Sequence, residues 1–236
     1  EALHPFFLLH ASVPSPSYTP NRDIRVFLRR PDPPRFEACG AIGEEIARNT
    51  RNGSRVVRSH AGICKIYDDP WTNEAPLWPS VALSALAPQS NGITGYVYGT
   101  DDEFKGWLEA PLPHAPLDFE LQGAQAARCL RLWARRNVFL AKLGYVDIDG
   151  GTINFAPAED GGLVHFDKNA VLPIAWLDEA RVERMIRTLR LSYPDKPQEH
   201  VDDLRATLLT RDAVAIERRF QELESNPAVA PSLPGT

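Results

Sequence analysis

The amino-acid sequence predicts an α+β fold of two lobes, in which a β-rich first lobe precedes a mostly helical second lobe. Two β-hairpins support the first lobe, because residues 54–67 and 95–108 each place β-branched and aromatic residues on both sides of a turn. Prolines at positions 111, 113 and 116 then interrupt the chain. Beyond them the apolar residues recur with a helical period, which predicts the second lobe.

Composition divides the chain into four segments. Residues 1–36 are predicted to form a proline-rich, mostly irregular arm with one possible strand at 24–28, because proline blocks helix interiors and central strands. Residues 37–110 are assigned to the first lobe and residues 111–225 to the second lobe. The segment 226–236 is a proline-spaced tail that we expect to fray.

Each lobe has a predicted order of elements. In the first lobe, the strand at 63–67 carries Lys65, and a short helix is predicted at 77–87. In the second lobe, a long helix at 119–143 is predicted with Asp118 as its N-cap and Gly144 at its end. Further along the chain we predict strands at 145–147, 152–155 and 163–166, and helices at 178–191, 198–208 and 211–224.

Composition and charge exclude several classes of function. The 236 residues are 43% hydrophobic and 24% charged, as in globular proteins, and a net charge of -5 gives no basic field for nucleic acid. Three cysteines without a CxxC pair argue against a disulfide framework or structural zinc. No apolar run is long enough to form an integral membrane segment. We therefore expect a cytoplasmic protein, or one secreted into a host cytoplasm if it is an effector.

Four residues have the types, order and spacing that phosphoryl transfer requires, namely a cation, oxygen ligands for Mg²⁺ and a carboxylate base. Lys65 lies in the middle of a strand, and Asp149 follows a short apolar strand. Asn154 comes five residues after Asp149, and Asp167 comes thirteen residues after Asn154. Each alone is common in strands or turns, whereas the set of four favours a site.

The segment 143–167 resembles the catalytic core of the protein-kinase-like superfamily. Asp147-Ile148-Asp149, followed by Asn154, is similar to the catalytic loop His-x-Asp with Asn five residues on. Asp167-Lys168-Asn169 stands where the family has Asp-Phe-Gly. The resemblance implies ATP and Mg²⁺ as cofactors, with Asp149 as catalytic base, Lys65 on the phosphates, and Asn154 and Asp167 as metal ligands.

The resemblance extends to the nucleotide-binding residues of the first lobe. It places Gly53 and Ser54 in the loop over the phosphates. Glu74 is assigned as the helix glutamate that would pair with Lys65. The adenine side would be lined by Trp107, Leu108, Glu109 and Ala110, with backbone groups making the hydrogen bonds.

Two further motifs of the chain resemble those of bacterial lipopolysaccharide kinases, which phosphorylate inner-core sugars. Phe166-Asp167-Lys168 resembles their Phe-Asp-Arg, and Trp176 with the arginine-rich 184–190 resembles their closing helix. In that alignment the metal-binding Asp falls on His165, and we favour Asp167 because a carboxylate is the harder ligand for Mg²⁺. The acceptor hydroxyl is then on a sugar, or on a protein Ser/Thr as in small bacterial effector kinases.

Departures from the family pattern leave alternatives open. Asp147 replaces the catalytic-loop His, Ile148 replaces Arg, and residues 168–175 leave almost no activation loop, so an active enzyme would not need its own phosphorylation. Asp147 joins the metal site or is a solvated acid that caps the loop. A pseudokinase that acts as a binding or regulatory module is the alternative. A third reading takes Asp147 and Asp149 as the Asp-x-Asp motif of a metal-dependent glycosyltransferase.

Arginines recur at helical spacing in the second lobe. Such rows are usually solvated faces with salt bridges, and we predict the same here. The residues are Arg128, Arg131, Arg135, Arg136, Arg181, Arg184, Arg187 and Arg190.

Overall fold

A computed structural model describes most of the two lobes. The described residues are 7–8, 27–28, 35–37, 44–49, 53–59, 62–68, 71–72, 75–98, 104–118, 123–193 and 198–225. Glu74, the tail at 226–236 and most of the 1–36 arm lie outside them.

The described residues before Pro111 form a six-stranded sheet, two separate strand pairs and one helix. The elements are β1 (Phe7–Leu8), β2 (Phe27–Leu28), β3 (Arg35–Glu37), β4 (Glu44–Asn49), β5 (Ser54–Ser59), β6 (Gly62–Tyr67), β7 (Trp71–Thr72), β8 (Ala75–Pro76), α1 (Leu77–Leu86), β9 (Ile93–Tyr98) and β10 (Phe104–Glu109). The large sheet has the order β3-β9-β10-β6-β5-β4, and all neighbours in it are antiparallel except β3 and β9. β1 pairs with β2, and β7 pairs with β8.

Helix α1 packs on one face of the large sheet through aromatic side chains. Trp78 of α1 makes edge contacts with Tyr96 at 5.3 Å and Phe104 at 5.0 Å between ring centroids. Tyr67 and Trp107 belong to the same buried cluster. Trp107 lies directly opposite Lys65 in the sheet, so this face carries the Lys65 side chain.

The second lobe is mostly helical and holds two short strand pairs. Its elements are α2 (Gly123–Ala141), β11 (Tyr145–Asp147), β12 (Phe155–Pro157), β13 (Leu163–His165), β14 (Val171–Pro173), α3 (Glu179–Ser192), α4 (Gln198–Thr210) and α5 (Ala213–Ser225). β11 pairs with β14, and β12 pairs with β13. Trp133 of α2 packs edge-on against Phe220 of α5 in the core of this lobe.

The α+β class and the division into a β-rich and a helical part are confirmed. Both predicted hairpins and the predicted helices at 77–87, 178–191, 198–208 and 211–224 are present, and Asp178 caps α3 by accepting from the Arg181 amide. None of the helices in the described part of the chain has the length and apolarity needed to cross a membrane.

Two local predictions are wrong. Helix α2 begins at Gly123, so Asp118 is not its N-cap, and the Asp118 carbonyl instead accepts from the Thr152 hydroxyl. Residues Thr152–Asn154 form a 3₁₀ turn, and the strand begins at Phe155.

The two closest backbone approaches in the sheet involve glycines of β6 and β10. A Cβ on Gly106 would lie 2.0 Å from the Lys65 carbonyl oxygen, so this position has no room for a side chain. By contrast, a Cβ on Gly92 would meet only Ala110, at 3.9 Å. Gly106 therefore fixes how closely β10 approaches the strand that carries Lys65.

We expect Gly106→Ala to lower the free energy of unfolding by about 2–3 kcal/mol, because the added methyl pushes two paired backbones apart. Urea denaturation measures the change. Gly92→Ala is the matched control, for which we expect a change of less than about 0.5 kcal/mol. Equal stability of the Gly106→Ala variant and the native chain would contradict the packing described for this strand pair.

Candidate functional site

The site is organised around an ion pair between the two lobes. The Lys65 ammonium of β6 donates to Oδ1 of Asp167 at 2.6 Å, and the two side chains are 20% and 22% exposed. Lys65 Nζ also lies 5.8 Å from the centre of the Tyr67 ring and 5.9 Å from that of Trp107. The pair therefore sits in a cleft with an aromatic wall on the sheet side.

Charge neutralisation keeps Lys65 protonated in this cleft. Burial acts to lower the pKa of the ammonium, but the negative charge of Asp167 and contact with Tyr67 outweigh it, so the pKa lies above its usual range. Lys65 is therefore a permanent cation at neutral pH.

The segment that follows Asp167 is fixed by hydrogen bonds to the first lobe. Asp167 has a φ of 61°, a left-handed conformation that is uncommon outside glycine. The Ser80 hydroxyl of α1 donates to the Lys168 carbonyl at 3.0 Å and accepts from the Val171 amide at 2.9 Å. The Asn169 amide group donates to the Tyr67 hydroxyl at 2.6 Å. These contacts hold Asp167 toward Lys65 despite the strained backbone.

Asp149 lies in a tight loop between β11 and the 3₁₀ turn. The Gly151 amide donates to Asp149 Oδ1 at 3.3 Å, and the Asn154 side chain donates to the Asp149 carbonyl at 3.4 Å. Gly150 is required because a Cβ there would lie 2.8 Å from the Trp133 ring. The loop thereby brings Asn154 and Asp149 together, as the spacing of five residues suggests.

Burial raises the pKa of Asp149, and the negative charge of Asp167 adds to the effect. The hydrogen bond from Asn154 acts in the opposite direction. A carboxylate with a raised pKa is a stronger proton acceptor than an ordinary aspartate.

Asp147 supports the Asp149 loop from the interior. It is 1% exposed, and its Oδ1 accepts from the Asp149 amide at 3.0 Å. Its own amide donates to Asn137 Oδ1 at 2.7 Å, while Asn137 donates back to the Asp147 carbonyl at 3.2 Å. Asp147 therefore caps the loop from a buried position, and the prediction that it is solvated is wrong.

Arg136 is the counter-ion of Asp147, and the prediction that it belongs to a solvated face is wrong. It is fully buried, with Nη2 3.7 Å from Asp147 Oδ2 and 2.8 Å from the Ser84 hydroxyl to which it donates. The signal for this burial was present in the sequence, because Arg136 falls on the apolar stripe of α2 that contains Cys129, Trp133 and Leu140.

His165 lies away from the Lys65 ion pair. It is 1% exposed, packs edge-on against Phe155, and has Nε2 3.8 Å from Asp147 Oδ2. Burial lowers the pKa of His165 well below its usual range, and the charges of Arg136 and Lys168 add to this effect. The imidazole is therefore neutral, whereas Asp167 is the residue beside Lys65.

The predicted adenine-side residues have other contacts. The Glu109 carboxylate is buried and lies 3.0 Å from the Lys168 ammonium, and it accepts from the Trp107 indole at 2.7 Å and the Asn91 amide group at 3.1 Å. Leu108 packs into an apolar cluster with Cys64 on the opposite sheet face. The side chains of Glu109 and Leu108 are therefore structural.

The remaining nucleotide-binding predictions have different outcomes. Gly53, with a φ of 62°, directly precedes β5, and buried Ser54 is the first residue of that strand. Ser54 lies on the same face of the sheet as Lys65, because it is paired with Tyr67 and side chains two residues apart on a strand share a face. Glu74 is outside the described residues. Helix α1, Leu77–Leu86, contains no Asp or Glu, so within α1 no carboxylate is available to Lys65.

Comparisons with known proteins find a distant structural similarity. No protein-family model matches the chain, and no curated protein matches it. Among solved structures, the chain is similar to the apo GRMZM2G135359 pseudokinase, with 11% identity and a TM-score of 0.43. The overlay covers 84% of this chain and 92% of that chain.

The buried carboxyl of Asp147 predicts a pH dependence of stability. Burial raises its pKa to about 6, although Arg136 acts to lower it, whereas an unfolded aspartate titrates near about 3.9. Between these values the folded chain holds a proton that the unfolded chain has released, so stability falls as pH rises. The contribution is on the order of 3 kcal/mol across this window.

Asp147→Asn should remove this contribution. We expect the native chain to lose stability relative to the variant as pH rises from about 4 to about 6, and the difference to be constant above about pH 7. Urea denaturation of both proteins over this pH range measures it. A difference that does not vary with pH would contradict the raised pKa.

Proposed function

We propose that the chain binds a nucleoside triphosphate and transfers its γ-phosphate to a hydroxyl group. The single observation that carries the proposal is the 2.6 Å contact between Lys65 and Asp167 across the two lobes, beside the loop of Asp149 and Asn154. ATP is the donor that the family resemblance implies. The acceptor is a hydroxyl of a protein Ser/Thr or of a sugar.

The residues of the site divide the work of the proposed transfer. Lys65 is a permanent cation and binds the phosphate oxygens. Asp149 accepts the proton of the attacking hydroxyl, a role for which its raised pKa is suited. Asn154 orients the Asp149 loop through its bond to the Asp149 carbonyl. Asp147 and Asn137 hold the same loop from the interior.

The donor set fits Mg²⁺. Asp167 offers a partly exposed carboxylate and Asn154 an amide oxygen, and Mg²⁺ is usually bound by one or two such groups together with substrate phosphates. Across the described residues, no group of three or more His, Cys, Asp or Glu side chains converges, as a cage made entirely of protein ligands would require. When bound, Mg²⁺ supplies charge neutralisation at the phosphates.

A second candidate function is nucleotide binding without turnover. It is favoured by the pairing of Lys65, which contacts the proposed metal ligand Asp167 while α1 offers no carboxylate. The Lys65 ammonium occupies Oδ1 of Asp167 and so competes with Mg²⁺ for this carboxylate, and α1 has no carboxylate to receive the ammonium instead. A module that binds a nucleotide and regulates a partner needs no such exchange.

Asp149→Asn separates the two candidates. If Asp149 is the base, γ-³²P transfer from nucleotide to a panel of protein and sugar acceptors falls about 10²- to 10⁴-fold. Nucleotide affinity stays unchanged because Asp149 is not a phosphate ligand. Asp160→Asn is the matched control, because Asp160 is an exposed aspartate in the β12–β13 turn, and it should keep the native rate.

Nucleotide binding by the native chain without measurable transfer would select the second candidate. Absence of binding to any nucleoside triphosphate would contradict both candidate functions. Asp167→Asn adds an independent readout, because loss of the carboxylate should abolish the Mg²⁺ dependence of nucleotide affinity in a titration with and without EDTA.

A further inference from the structure

The arginine rows of α2 and α3 have different surroundings. On α3, Arg181 pairs with Asp178, and Arg190 lies 3.5 Å from the Asp202 carboxylate. Such pairs belong to a solvated face with salt bridges, as the helical spacing predicts. On α2, by contrast, three arginines line a pocket.

The pocket beside α2 has a volume of about 130 Å³. The arginines that line it are spaced three and four residues apart on the helix, and they are Arg128, Arg131 and Arg135. Its apolar wall consists of Leu132 of α2 and Leu163 of β13, which are both buried. None of the described residues that line the pocket is an aspartate or a glutamate. The pocket therefore combines cationic donors with an apolar wall.

Two of the three guanidinium groups are held in position by the surrounding structure. Arg128 Nη2 donates to the Gly161 carbonyl at 2.6 Å, and Arg135 Nε donates to the Glu224 carboxylate at 2.7 Å. A guanidinium carries five N–H donors, so one such bond leaves others for a ligand. Gln89, which also lines the pocket, adds a side-chain amide. Side chains that are ordered before binding lose less conformational entropy when a ligand binds.

The three arginines bring like charges together. Residues three and four positions apart are neighbours on a helix, so these cations repel one another. Glu224 compensates Arg135. The acids of the β12–β13 turn, Glu159 and Asp160, are exposed to solvent, and Asp160 accepts from the Gly162 amide at 2.8 Å within that turn. An anion bound between the guanidinium groups would offset the repulsion that remains.

A phosphate group matches the size and the donors of this pocket. Pockets that take whole small molecules usually measure roughly 300–1,000 Å³, so the present one suits a group of a few heavy atoms. The planar fork of arginine donates two parallel hydrogen bonds to phosphate oxygens, which a lysine ammonium does not. Two negative charges also balance a cluster of cations better than one does.

We propose that this pocket binds a phosphate dianion, either as the free ion or as the end group of a small organic molecule. The pocket is separate from the proposed transfer site, because none of the four residues of that site lines it, namely Lys65, Asp149, Asn154 and Asp167. Binding of phosphate here does not depend on phosphoryl transfer, so each of the two proposals can fail without the other.

Titration of the native chain with inorganic phosphate tests the proposal, with the arginine Nε–H signals followed by ¹H–¹⁵N NMR at constant ionic strength in chloride. We expect saturable binding with a dissociation constant on the order of 1 mM. Arg131→Gln should weaken binding about tenfold, because it removes charge-assisted hydrogen bonds. Arg184→Gln, at an exposed position of α3, is the matched control and should keep the native affinity.

Phenyl phosphate, titrated in the same way, carries the group on an organic molecule. Binding at least as tight as that of inorganic phosphate would support the pocket as a site for an end group. Tighter binding of inorganic phosphate would support it as a site for the free ion.

Equal affinities of Arg131→Gln and Arg184→Gln for phosphate would overturn the proposal, because the ion would then bind elsewhere, for example beside Lys65. A response to phosphate that chloride alone reproduces would overturn it as well. Thermal unfolding checks that each variant is folded. Arg128→Gln changes an exposed side chain of the same pocket and should also weaken binding, so the test does not depend on one variant.

Discussion

The ion pair between Lys65 and Asp167 is the interaction on which the site depends. It joins residues 102 positions apart in the chain and belonging to different lobes. Each lobe presents its partner rigidly, since Lys65 lies within a six-stranded sheet and Asp167 precedes a segment bonded to Ser80 and Tyr67. Because both side chains are mostly buried, either one alone would be an uncompensated charge in the cleft.

Buried charges near the site occur in compensated pairs. Asp147 is accompanied by buried Arg136, and Lys168 is accompanied by buried Glu109. A buried charge without its partner is strongly destabilising, whereas a paired and hydrogen-bonded one is tolerated. Both pairs are therefore integrated into the fold.

The sequence predicted regular elements well because period and turn chemistry are local properties. It missed β4, whose Glu44-Glu45-Ile46-Ala47-Arg48-Asn49 is largely exposed on a sheet edge and lacks the apolar alternation of a half-buried strand. It also took Glu109 for a residue on the adenine side. The partners of Glu109 are Lys168 and Asn91, 59 and 18 positions away, and such pairings depend on tertiary structure that no local pattern encodes.

If the chain binds a nucleotide as we propose, the charges around Asp167 would favour a divalent cation there. Lys65 neutralises Asp167, which leaves Asp149 and the incoming phosphates without compensation in a partly buried environment. If phosphate oxygens take Lys65, the Asp167 carboxylate loses its counter-ion and raises the local negative charge further. A cation bound jointly by Asp167 and the phosphates compensates both at once. Nucleotide and metal should therefore bind cooperatively, because each supplies the charge that the other leaves unpaired.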